Sequence, residues 1–173
     1  MKLIIGFGKP KSGFVPLAWA IELIEKVGYS HTYFKWADAA GVDQIFETVL
    51  SGTKQVTATD FLAGYSVVEE YAFELSDADA KVYQNFVTKY NGVPYSYEKL
   101  FGVEVAKIFN LNTNPFSNDD KSLICTHTLM LLIEALPNVF VGAESIKLSP
   151  SAVGLKTLHD FIVSNKNATR VVA

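Results

Sequence analysis

Apolar and polar positions follow short strand-like runs in the first half of the chain and helical spacing in most of the second. Leu3-Ile4-Ile5 with Phe7 predicts a buried strand over residues 2–7, closed by a Gly-Lys-Pro-Lys-Ser-Gly loop ending at Gly13. Leu17, Ala20, Ile21 and Ile24 then recur at helical spacing between Pro16, suited to a first helical position, and Gly28, suited to a stop. Residues 29–36 and 44–50 are rich in aromatic and β-branched side chains. Asp38-Ala39-Ala40-Gly41 turns the chain between them, so they predict a hairpin. Ser51-Gly52 is another turn, and residues 67–75 read as a further strand.

Ser76 precedes Asp77 and Asp79, a cap with acids in the first turn. Ala78, Val82, Phe86 and Tyr90 mark one face of the helix that follows, and Asn91-Gly92 ends it. A shorter helix is predicted from Ser96 to Phe109, then a polar loop over 111–121, then an apolar helix over 125–136 that Pro137 stops. Ser149-Pro150 opens a last helix to about Val163, and the polar tail 164–173 is expected to fray. With no repeat and no linker, residues 1–173 form one α+β domain.

Composition narrows the function. The chain is 49% hydrophobic and 13% aromatic, enough for a sizeable core in 173 residues. Fifteen Lys and Arg against 18 Asp and Glu give a net charge of −3, and Arg170 is the only arginine. A nucleic-acid partner is therefore not expected, because phosphates and base edges are read chiefly by arginine forks. One cysteine excludes an internal disulfide framework and a Cys-rich zinc site. The N-terminal apolar run is too short for a signal peptide, and the longest later one, Leu129 to Ile133, is far short of a membrane span. A soluble protein made in a cytoplasm, with no integral membrane segment, is the expectation. Carriage inside a virus particle stays compatible with it.

Two features carry chemistry. If the hairpin turn is centred near residue 39, cross-strand partners have numbers summing to about 78, which places His31 opposite Glu47 on one sheet face. A carboxylate there would fix the tautomer of the ring and stabilise its charge. An exposed polar pair on a half-solvated hairpin is the alternative. Cys125 follows a loop and begins an apolar helix, where the positive end of the helix dipole favours a thiolate and the Cys125 N–H faces any oxyanion. The alternative is an inert buried thiol. His127, two residues on, points to a different helix face from Cys125. His159 reads as a packing or surface residue, and Asp119 and Asp120 as solvated loop carboxylates rather than metal ligands. No metal or other cofactor is expected.

Taken in order, these segments resemble the circularly permuted branch of the NlpC-type, papain-like cysteine hydrolases. The matching pieces are Tyr29-Ser30-His31-Thr32, then Ile45-Phe46-Glu47-Thr48 with Gly52, and last Leu123-Ile124-Cys125-Thr126. Tyr90-Asn91-Gly92-Val93-Pro94-Tyr95 and Leu148-Ser149-Pro150 frame them, so the resemblance spans residues 2–161. Where the family carries a small and an acidic residue after the cysteine, this chain has Thr126-His127. The resemblance implies a papain-like antiparallel sheet packed on helices and a thiol peptidase or amidase. Cys125 would be the nucleophile, His31 the base and Glu47 the residue that orients it. Tyr29, Tyr95 and Tyr97 are candidates for a second oxyanion donor beside the Cys125 N–H. The implied substrate is a peptide, of the cell-wall class. Acyl transfer or amide cleavage on lipids, as in the lecithin–retinol acyltransferase type, is the second expectation, and a non-catalytic binding scaffold the third. Residues 8–13 and 112–121 are candidate lids.

Overall fold

The computed structural model describes residues 1–11, 16–116 and 119–171, excluding the side chains of Pro16 and Leu17. The Gly13 end of the first candidate lid and residues 117–118 of the second lie outside the described residues. The elements in chain order are β1 (Lys2–Pro10), α1 (Pro16–Glu25), β2 (His31–Ala37), β3 (Asp43–Val49), β4 (Gly52–Thr57), α2 (Ala58–Gly64), β5 (Tyr65–Glu74), α3 (Asp77–Tyr90), α4 (Tyr97–Ile108), α5 (Cys125–Ala135), α6 (Leu155–Ser164) and β6 (Thr169–Val171). The architecture is α+β, and the strands form one antiparallel sheet in the order β4-β3-β2-β1-β5-β6.

The pairing assigns a role to each sheet face. Ile5 lies opposite Phe34, Phe34 opposite Phe46, and Leu3 opposite Phe73. These side chains join one core cluster with Tyr83 and Phe86 of α3, Leu129, Leu132 and Ile133 of α5, and Leu158 and Ile162 of α6. Each phenylalanine fully withdrawn from water contributes about 2–3 kcal/mol to holding these layers together. The other face is smaller: Tyr33, Ile45 and Phe61 form a second cluster in which α2 covers the sheet. Gly6 makes this face possible, since a Cβ there would lie 2.1 Å from the Tyr33 ring.

Several boundaries differ from the sequence expectation. β1 continues through the predicted loop to Pro10, because Gly8, Lys9 and Pro10 pair with Val67, Ser66 and Tyr65 of β5; proline is tolerated at such a strand end. β4 and α2 fill the stretch between the second turn and β5 that carried no assignment. The tail does not fray throughout: Thr169, Arg170 and Val171 pair with Ala72, Tyr71 and Glu70 as β6. Ser149-Pro150 starts a separate 3-10 turn, Pro150–Ala152, and the last helix begins only at Leu155, after Gly154.

Candidate active site

The Cys125 helix is delivered to the sheet by a stitched segment. Thr53 of β4 donates its N–H to Val93 O at 2.8 Å, and Leu123 N–H bonds Pro94 O at 2.8 Å. Ser96 N–H returns the bond to Leu123 O at 2.9 Å. Gly52 permits the first join: its φ is +107°, and a Cβ would come 2.8 Å from Val93 O. Lys99, fully buried on α4, donates to the backbone carbonyls of Asp119 and Ser122, fixing the turn that leads to Cys125. Thr48 and Thr128 share a hydrogen bond of 2.7 Å that pins α5 to β3. No side chain caps α5 at Ile124, so its first-turn N–H groups are left for an anion.

His31 opens β2 and is 5% exposed. Its Nε2 lies 3.1 Å from Glu47 Oε2 on β3, and Lys54 Nζ approaches Glu47 Oε1 at 3.5 Å. The ring and the Cys125 side chain line the same cavity, and Cys125 is near enough to act on the charge of the ring. Burial opposes a charged ring, but the neighbouring Cys125 and Glu47 side chains outweigh it and push His31 up to about 9. The three residues of the expected set therefore come together in the structure. The strand register explains Glu47: its direct partner is Tyr33, and His31 is the diagonal neighbour on the same face.

A cavity of about 110 Å³ opens over the sulfur, lined by His31, Thr48, Leu50, Tyr65, Tyr95 and Leu100 among others. A larger concavity, about 550 Å³, lies elsewhere, between β5–β6 and Asn138. It holds no cysteine or histidine among its described lining residues and has no part in this chemistry.

The three tyrosine candidates separate. Tyr95 lines the Cys125 cavity, and burial, then the neighbouring Cys125, raises its hydroxyl above the ordinary range. Tyr97 is 61% exposed at the start of α4 and meets only the edge of Tyr95 among the described rings, at 5.2 Å. Tyr29 packs on Phe7 at 5.1 Å and on His159 at 5.0 Å, away from the cavity lining.

Sequence reasoning missed Tyr65 and Phe61. Tyr65 lines the cavity with its ring 5.0 Å from that of His31, and Phe61 stacks on Tyr65 at 4.9 Å. Burial, then the charges of Glu47 and Cys125, push Tyr65 up to about 12. The cap of α2, Thr57 accepting from Asp60 N–H, was the available signal.

The remaining histidines stay apart from Cys125. His127 is buried at the Asp120 carboxylate, 3.4 Å away, and burial, then Lys99, pull it down to about 4. His159 bonds Glu69 at 3.2 Å and packs among Phe7, Tyr29 and Tyr71. Asp119 pairs with Lys99, and among the described residues no group of three or more His, Cys, Asp or Glu is placed to hold a metal ion. The second candidate lid is tied down at Asn114, whose amide donates to Lys99 O and Ser151 O at 2.9 and 2.8 Å.

No protein-family model matches the chain, and no curated protein matches it. Among the described residues no helix is long and apolar enough to cross a membrane.

Proposed function

We propose that the chain is a thiol hydrolase of the circularly permuted papain-like type, acting on an amide bond, with a cell-wall peptide as its substrate class. The observation that carries this reading is the His31 ring, held by Glu47 through Nε2 and facing one cavity together with Cys125 at the start of α5. The order His31, Glu47, Cys125 along the chain supports the same family resemblance. His31 takes the thiol proton, and Cys125 Sγ attacks the carbonyl carbon. The Cys125 N–H and the Tyr95 hydroxyl donate to the oxyanion. His31 then protonates the departing amine, and water cleaves the acyl-enzyme with His31 as base.

A second reading, amide cleavage or acyl transfer on a lipid, is favoured by one observation. Trp19 and Leu23 of α1 and Tyr97, Phe101 and Ile108 of α4 are all more than half exposed, and both helices border the Cys125 cavity through Ala18 and Leu100. Patches of this kind meet apolar partners.

Muropeptides, peptide amides and acyl esters offered to the wild type, Cys125→Ala and His31→Ala test the reading. Turnover that falls by several orders of magnitude in both variants is the expected result, since nucleophile and base act as one unit. Cys125→Ala should stay folded, at a cost on the order of 1 kcal/mol. Turnover that persists without the sulfur would overturn the thiol mechanism.

A further inference from the structure

A second, smaller cavity meets the first at Cys125. It is about 10 Å³, room for one water-sized group, and Ile21, Leu100 and Cys125 line both spaces. Glu25, Glu104 and Thr126 complete its polar lining. Glu25 closes α1 and is 2% exposed. Its Oε2 takes the Lys107 ammonium and the Lys156 N–H at the start of α6. Its Oε1 has no partner, nor has Glu104 Oε2 or Thr126 Oγ1, although all three atoms are buried. Thr126 is itself 5% exposed. Gly154 clears the space, since a Cβ there would stand 2.1 Å from Glu25 Oε1.

Leaving buried acceptors unsatisfied costs about 1–3 kcal/mol each, more for a carboxylate, so three around one cavity call for a donor. A water offers two O–H donors at most and no charge. A primary ammonium offers three donors and the charge that two carboxylates with a single lysine lack. Burial, then the charge of Glu25, push the Glu104 carboxyl up to about 7, and a cation beside it would favour its charged form.

We propose that Glu25, Glu104 and Thr126 form a subsite for a primary ammonium on the substrate, close to the carbonyl that Cys125 attacks. The inference rests on the thiol-hydrolase reading and narrows it to amino-bearing acyl or peptide substrates.

Thiol labelling tests it without knowledge of the substrate. An aminoethyl methanethiosulfonate and its neutral ethyl analogue each pass their sulfur to Cys125. The new bond is the protein disulfide, the bond broken is the reagent S–S, and methanesulfinate leaves. Rates on the folded protein are compared with those on a small free thiol, which cancels intrinsic reactivity. The wild type should prefer the ammonium reagent by about tenfold, the factor carried by one charge-assisted hydrogen bond. Glu104→Gln should abolish most of that preference, read as the ratio of the two rates in the same variant. Thr126→Val should also lower it, which separates a shaped subsite from long-range attraction because no charge is altered.

Equal preference in the wild type and both variants would overturn the subsite alone, provided that the neutral reagent still labels Cys125 and His31→Ala slows that labelling. Failure of either reagent to label the folded wild type would overturn the subsite and the thiol reading together.

Discussion

Glu47 reaches His31 diagonally across the hairpin. Tyr33 is the residue directly opposite Glu47, yet the carboxylate lies 3.1 Å from His31 Nε2. Diagonal neighbours on an antiparallel face remain within reach of side chains this long. The ring is thus fixed from a neighbouring strand while the residue opposite, Tyr33, spends its hydroxyl on Glu70 at 2.8 Å.

His31 and His127 should titrate far apart. His31 is held near 9 and His127 near 4, against about 6.5 for a free ring. His31 gains a proton more readily when folded, so its contribution to stability is complete below about 6.5 and is lost as pH rises through 9. For His127 the folded value lies below the unfolded one, so stability is lost as pH falls from about 6.5 through 4. Proton NMR of the imidazole resonances, with His31→Ala and His127→Gln to assign them, checks both midpoints. Unfolding in urea at pH 6 and pH 10 should show a larger loss in the wild type than in His31→Ala.

Glu47→Gln should leave the ring oriented but remove the charge that favours its protonated form. The His31 midpoint should drop below 9. Alkylation of Cys125 by iodoacetamide at pH 7 should slow, though less than in His31→Ala. A variant whose midpoint and labelling rate match the wild type would take Glu47 out of the set.

Gly6→Ala tests the covered face of the sheet. Its Cβ would stand 2.1 Å from the Tyr33 ring, and the backbone of a central strand cannot retreat. A loss of about 1–3 kcal/mol in urea unfolding is expected, the usual range for overpacking. Tyr33→Ala in the same chain should recover part of it, because the clash is with that ring.

Tyr95 and Tyr97 separate by position. Tyr95→Phe removes a hydroxyl from the Cys125 cavity and should lower kcat by about 10²-fold with little change in KM, as loss of an oxyanion donor does. Tyr97→Phe, at an exposed site, should leave kcat near the wild-type value. Steady-state kinetics on whichever substrate emerges from the screen reads both.

Much of this arrangement was legible in the chain, for identifiable reasons. His31 and Glu47 are both odd-numbered, and the expected register sum of 78 differs from the observed 80, set by Tyr33 and Glu47, by an even number. An error of two keeps both side chains on one face; an error of one would have parted them. Cys125 was legible because a loop and a long apolar helix bracket it. α2 was not, because seven residues make too few turns to show a period, and β4 carries one large apolar side chain, Val56, in Gly52–Thr57. β6 is held by backbone pairing along three residues, which leaves no trace in side-chain pattern. The subsite at Glu25 was equally hidden. It is assembled from α1, α4 and α5, whose contacts no local spacing encodes.

The stitched segment from Thr53 through Val93, Pro94 and Leu123 has a consequence for when the site comes into being. His31 and Glu47 are made early, on one hairpin, whereas the sulfur joins them only after the ribosome has passed Cys125 and the Leu123 bridge has closed against Tyr95. A nascent or truncated chain carries an idle histidine, and a chain whose α5 has not docked carries an ordinary thiol. Under the proposed thiol-hydrolase reading, reactivity would be a property of the finished fold, and the cell making this protein would meet a nucleophile only in chains that have completed it.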